Sequence, residues 1–407
     1  MRRISIWTIV LLSLLLPINI YSLDFDIHSK HAILYNTKED KVMYEKASTE
    51  KTSIASLTKI TTAIVALENI KDLDQKVTLT LNDFKGLREA NAAVAGFRVG
   101  QKITYRDLLY GLMLPSGADA AQALERNVAG SNEAFIKLMN DKAKELKLEN
   151  THYTNPTGLD DPNHYSTAKD VFTVFKYALK NEEFKKIISE QRYATSDGSL
   201  TFRSTLSKAN DLSIDYIKGG KTGTTGDAGL CLATFANYDN TDFILVTTGA
   251  ENNGGRYSFL DHKNIYEYVR ANYDYKEVTN TKDVLVTLPT KYLKEDTIDF
   301  KSPKKIVLYL DKDFNKKDLD YKYSGTKIIT HKLKENTKLG KVDIIYDNTK
   351  LATVDIILKD KPKFSVKKYL LDHKLIVGGI LLLLLLIIFS RKKHKKIKIK
   401  IKKKKRR

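Results

Sequence analysis

Ile54-Ala-Ser-Leu-Thr-Lys-Ile-Thr-Thr-Ala-Ile64 is the stretch on which the reading of this chain turns. Its apolar residues cover most faces of a helix running from Ser56 to Asn69, which marks the helix as buried. Ser56 and Lys59 stand three apart, so a hydroxyl and an amine share one face, one turn apart. Serine is a weak nucleophile until a base takes its proton. A lysine becomes such a base only when burial or a second cation lowers its pKa. Ile54, Ala55, Ile60 and Ile64 supply the apolar setting that desolvation requires. The spacing alone carries little, because Ser-x-x-Lys also starts at Ser48, Ser166, Ser302, Ser324, Ser365 and Ser390.

Two further elements raise its weight. Lys221-Thr222-Gly223-Thr224 occurs once, shortly before an expected strand at Gly229 to Asn237. A lysine with hydroxyls suits a carboxylate, and a glycine leaves room for a substrate against the backbone. Pro115-Ser116-Gly117-Ala118-Asp119 forms a tight turn between helical patterns at Tyr105 to Leu114 and Ala118 to Val128. A hydroxyl at such a turn can relay a proton, or can simply cap the helix that follows.

Taken in this order, the elements form the Ser-x-x-Lys, second-serine and Lys-Thr-Gly set of penicillin-recognising acyl-transfer enzymes. The chain resembles the low-molecular-mass penicillin-binding proteins that act as serine-type D-Ala-D-Ala carboxypeptidases. Similar stretches are Leu114-Pro-Ser-Gly-Ala-Asp-Ala-Ala, Asn150-Thr-His-Tyr-Thr-Asn-Pro-Thr-Gly-Leu-Asp, His164-Tyr-Ser-Thr-Ala-Lys-Asp and Gly219-Gly-Lys-Thr-Gly-Thr-Thr. The resemblance implies an α/β sandwich, a five-stranded antiparallel sheet flanked by helices with a helical subdomain, then a small all-β sandwich and a C-terminal transmembrane helix. It implies Ser56 as acylated nucleophile, Lys59 as general base and Ser116 as proton shuttle. Lys221, Thr222, Gly223 and Thr224 would bind the substrate carboxylate, with the backbone N–H groups of Ser56 and Thr224 as oxyanion hole. The implied substrate is a peptidoglycan stem peptide ending in D-Ala-D-Ala. β-Lactam antibiotics are the implied covalent inhibitors, and no cofactor or metal is expected.

One position departs from the family pattern. Ala118 stands where the second motif usually ends in asparagine, and Asp119 could replace that amide only if the loop shifted by one residue. Ala118 motivates a second reading, a catalytically impaired wall-binding protein of the same fold. A class A β-lactamase is a third, but it needs a Glu-x-x-Leu-Asn loop that the chain lacks. Other candidates weigh less. His152 and His164 read as structural histidines, Asp160 and Asp161 as turn residues, and Cys231 as a buried inert thiol.

Composition sets the frame. The chain has 407 residues and a formal charge of +20. Arg391 to Arg407 hold thirteen lysines and arginines with no acid, and Arg2 and Arg3 add two, leaving about +5 for the body. A body so close to neutral has no electrostatic reason to seek nucleic acid. One cysteine excludes an internal disulfide framework and multi-cysteine metal sites.

The two ends read as membrane signals. Residues 1–22 combine a positive start with an apolar run, the pattern of a signal peptide or of an uncleaved anchor. Leu375 to Phe389 is uncharged, and residues 369–390 are long enough to span a bilayer. The basic residues 391–407 beside that segment assign the tail to the cytoplasm and the body to the outside, with contact to membrane lipids. Between the ends lie the expected catalytic domain, 23–275, and a β-rich stalk, 276–361. The stalk's runs include Val284–Leu288, Lys305–Leu310, Thr326–Thr330, Lys341–Tyr346 and Ala352–Leu358.

Overall fold

The computed structural model describes residues 26–404 except 239, so the signal-peptide segment lies outside the described residues. Contacts divide the chain into two units, with the break after Asn272.

The first unit is built on a five-stranded antiparallel sheet. Its strands are β1 (His31–Asn36), β2 (Lys41–Lys46), β3 (Ile217–Thr225), β4 (Gly229–Tyr238) and β5 (Thr241–Ala250), in the order β2-β1-β5-β4-β3. Leu34 faces Leu245 across β1 and β5, and Ala233 faces Val246 across β4 and β5. These central strands are buried nearly throughout, which explains their continuous apolar runs. Among the described residues β3 pairs only with β4, so one of its edges has no strand partner there.

Helices cover the sheet. α1 (Thr58–Asn69) is buried from Thr58 to Ala66 and packs with α2 (Tyr105–Met113), α3 (Ala118–Ala129), α4 (Asn132–Glu145) and α5 (Ala168–Ala178). α6 (Glu182–Ser189) packs on β3, and α7 (Tyr257–Asn272) on β4 and β5. Local chemistry starts most of them. Thr104 and Asp107 form a reciprocal capping box on α2, while Ser131, Thr167 and Asn181 cap α4, α5 and α6. The start of α3 has no side-chain cap, so Ser116 is free for other duty.

Among the described residues the second unit holds eight strands: β6 (Tyr273–Thr279), β7 (Val284–Lys291), β8 (Thr297–Lys301), β9 (Ile306–Asp311), β10 (Asp320–Gly325), β11 (Ile329–Thr330), β12 (Thr337–Tyr346) and β13 (Thr349–Leu358). They form a β6-β9 pair and the three-stranded sheets β8-β7-β11 and β10-β12-β13. Val278, Leu285, Ile329, Val342, Ile344 and Ile356 lie in their shared core. Two helices follow, α8 (Val366–Asp372) and α9 (Lys374–Lys404). The span from Lys374 to His394 is long and apolar enough to cross a membrane, and none of it is buried.

Candidate active site

Ser56 sits in a single 3₁₀ turn, Ala55–Leu57, that leads straight into α1. Ala55 has φ +46°, a conformation a β-carbon disfavours, so the turn is held by its surroundings rather than by propensity. Gly223 of β3 is one of those surroundings. A β-carbon there would lie 3.1 Å from Ala55 Cβ, Ile54 O and Ser56 N. The glycine therefore lets β3 close on the Ser56 turn. The space that the sequence reading gave to a substrate is filled by the protein itself. Gly158 makes the same allowance from the other side, since its β-carbon would meet Ala55 O at 2.0 Å.

Lys59 projects from the first turn of α1. Its Nζ donates to Ser56 Oγ at 2.9 Å and to the Thr157 carbonyl at 2.6 Å. The residue is 2% exposed. Burial brings its pKa from 10.5 down to about 7, with the Asp119 charge opposing. At neutral pH a large share of this amine is unprotonated and aimed at a hydroxyl.

The Thr157 carbonyl is placed by a turn whose organiser is Asn155. Its Oδ1 accepts from the N–H groups of Thr157, Gly158 and Leu159 and from Thr157 Oγ1 at 2.7–3.2 Å. Thr62 Oγ1 donates to the Pro156 carbonyl and seats this turn on α1. Neither Asn155 nor the Thr157 carbonyl was singled out from sequence; the Asn-Pro-Thr-Gly run signals a tight turn and nothing about its target.

Ser116 and Lys221 form a second hydroxyl–amine pair. Lys221 Nζ donates to Ser116 Oγ at 2.8 Å and to the Thr222 carbonyl at 2.9 Å. Ser116 has φ +69°, and Lys221 is fully buried. Burial lowers the Lys221 pKa far below its usual value, and the charges of Lys59 and Lys208 push the same way. The Lys-Thr-Gly run precedes strand β4 (Gly229–Tyr238), as the sequence suggested, and itself lies within a strand, β3, that the sequence did not signal. Thr222 Oγ1 donates to Thr205 Oγ1, and Thr224 Oγ1 donates to the Gly223 carbonyl.

These elements bound a cleft of about 490 Å³ lined by Ser56, Lys59, Ala118, Thr157, Asp160 and Thr224, among others. Ser116 and Lys221 are not among the residues that line it. Asp119 does not replace the missing amide. Its carboxylate accepts from the N–H groups of Ala95, Gly96, Phe97 and Ala120, fastening residues 95–97 to the start of α3.

The remaining candidates serve the frame. Thr154 N donates to His164 Nδ1, which leaves the proton on Nε2 to donate to Thr58 Oγ1. Burial lowers the His164 pKa to about 4, so this neutral ring is a strut. His152 Nδ1 bonds the Asn163 carbonyl, and Asp161 caps Asn163 N. Asp160 accepts from Thr225 Oγ1 and Asp227 N, tying the 155–160 turn to the end of β3. Burial raises the Cys231 thiol to about 12, which makes it inert.

Comparison with known proteins places this arrangement. A family model described as D-alanyl-D-alanine carboxypeptidase matches residues 19–252. The chain is 35% identical over 229 residues to D-alanyl-D-alanine carboxypeptidase DacF of Bacillus subtilis (strain 168), covering 54% of this chain and 57% of that protein. The match thus spans little more than half of that relative's length. The structure of the Streptomyces K15 DD-transpeptidase aligns at a TM-score of 0.56 and 31% identity, over 61% of this chain and 98% of the other. Penicillin binding protein 5 from Haemophilus influenzae shares the fold at a TM-score of 0.62 and 22% identity, over 83% and 98% of the two chains.

Proposed function

Because the chain belongs to the D-alanyl-D-alanine carboxypeptidase family, we propose that it removes the terminal D-alanine from peptidoglycan stem peptides through an acyl-enzyme on Ser56. The observation that carries this reading is the buried Lys59 amine, 2.9 Å from Ser56 Oγ with its pKa held near 7. Neutral Lys59 takes the Ser56 proton as Oγ attacks the carbonyl of the penultimate D-alanine. The N–H groups of Ser56 and Thr224 hold the oxyanion. The tetrahedral adduct collapses and breaks the C–N bond. The leaving amine takes a proton passed through Ser116, and D-alanine departs. Water then hydrolyses the ester on Ser56 and frees the shortened peptide.

The free edge of β3 suits an extended peptide, which can add to it as a strand. Lys221 answers the terminal carboxylate, with Thr222 and Thr224 beside it. The buried Lys221 amine resists a positive charge while no ligand is bound, and the carboxylate of an anionic substrate supplies the compensation. A β-lactam carries a carboxylate and a strained amide, so it acylates Ser56 by the same steps and remains bound.

The second unit acts as a β-sandwich stalk, and α9 anchors the protein in the membrane, with tail residues 391–407 on the cytoplasmic side against anionic lipid. Residues 1–22 direct export. A non-catalytic wall-binding role is not favoured, since it leaves the assembled hydroxyl–amine pair without a use.

Intact mass after incubation with benzylpenicillin tests the chemistry. A single adduct is expected on the full chain, and none on Ser56→Ala. Release of D-alanine from a D-Ala-D-Ala peptide, lost in the same variant, completes the case. Absence of both from the unaltered chain overturns it.

A further inference from the structure

The wall of the cleft formed by residues 90–93 and Ala118 is made of alanines, with one exception. Ala90, Ala92, Ala93 and Ala118 offer methyl groups, and Asn91 alone offers an amide. It lines the same cleft as Ser56 and Lys59. Asn91 has φ +47° and is exposed, and among the described residues its side-chain amide has no hydrogen-bond partner.

The loop that carries it is fastened on both sides. Asn91 N donates to Arg88 O, Ala92 N to Leu87 O, and Ala118 N to Ala93 O at 2.8 Å. Beyond Ala93, the Asp119 carboxylate takes the N–H groups of Ala95, Gly96 and Phe97. An amide on so firmly held a loop is preorganised, and that is the condition for it to position a ligand at small entropic cost.

We propose that Asn91 is a substrate-positioning residue, its side-chain amide bonding the peptide group on the acyl side of the bound substrate, a contact the Ala118 methyl cannot make. The proposal rests on the peptidase reading above. The amide can donate through Nδ2 to the substrate carbonyl, or accept through Oδ1 from the substrate N–H on the opposite side of the trans peptide group.

An asparagine at positive φ has a bland explanation as well, because the backbone there favours asparagine or glycine whatever the side chain does. Asn91→Gly separates the two, since it keeps the backbone preference and deletes the amide. Acylation rates of the full chain in detergent are measured with benzylpenicillin, which carries an acylamino group, and with 6-aminopenicillanic acid, which has a free amine in its place. D-Alanine release from diacetyl-Lys-D-Ala-D-Ala is followed in parallel.

The expected result is a roughly fivefold loss in benzylpenicillin acylation and in kcat/KM for the peptide, with the 6-aminopenicillanic acid rate unchanged. Unchanged rates on all three ligands would assign Asn91 to the turn alone and overturn the proposal. An equal fall on both β-lactams would assign it to the shape of the loop, with the same consequence. If the unaltered chain neither acylates nor releases D-alanine, the peptidase reading fails and this inference with it.

Discussion

Lys59 is where the proposed function and stability oppose each other. Its pKa is 10.5 in the unfolded chain and about 7 when folded, so between those values the unfolded state binds more protons. Stability contributed by this position therefore rises with pH across that window and is lowest at pH 7 and below. The penalty at neutral pH is roughly 3–5 kcal/mol, reduced by the bonds Nζ makes to Ser56 and Thr157. Lys59→Met should abolish the benzylpenicillin adduct yet melt no lower than the unaltered chain, its advantage growing as pH is lowered from 10 to 7. Thermal unfolding across that range checks it, and a melting point well below the unaltered chain at pH 7 would contradict it. In the active chain, the rate of acylation should rise with pH and level off above about pH 7 as Lys59 loses its proton, which stopped-flow measurement with a chromogenic cephalosporin would follow.

At the scale of elements, the site depends on two glycines and a turn that carry no reactive group. Gly223→Ala pushes a methyl into the Ser56 turn at 3.1 Å from three atoms. It is expected to cost about 1–3 kcal/mol of stability and to slow acylation at least tenfold, read from melting temperature and adduct formation. Asn155→Ala removes the acceptor that organises residues 157–159, so the Thr157 carbonyl drifts from Lys59. Acylation should fall while the protein stays folded.

These elements show how far the sequence could be read. Ser56 and Lys59 were legible because both lie on one helical turn, and a local spacing carries that geometry. The Lys221 run was legible by identity but not by conformation. Its strand is glycine-rich and lacks the alternation by which strands are found. Asn155 was not read as functional at all, and Asp119 was weighed only as a stand-in for the missing amide. Each acts mainly on backbone N–H groups, which every residue carries, and Thr157 reaches Lys59 across 98 positions of sequence. Helices α5 and α6 were missed, as were strands β6, β8 and β10, whose exposed lysines and acids blur the pattern.

At the scale of the whole molecule, two cores serve two purposes. Ile344 is fully buried in the second unit, far in sequence from every residue of the cleft. Ile344→Ala should lower the stability of that unit by about 2–5 kcal/mol and leave the benzylpenicillin adduct intact, which calorimetry and mass measurement would show together. The buried Lys221 amine carries a consequence for calorimetry. Burial and the charge of Lys59 lower its pKa, and a bound carboxylate raises it again. Ligand binding should then be accompanied by proton uptake. Heats measured in phosphate and in Tris should differ by the ionisation enthalpy of the buffer multiplied by the number of protons taken up. For this protein, affinity for an anionic ligand and the acidity of the medium are one coupled quantity.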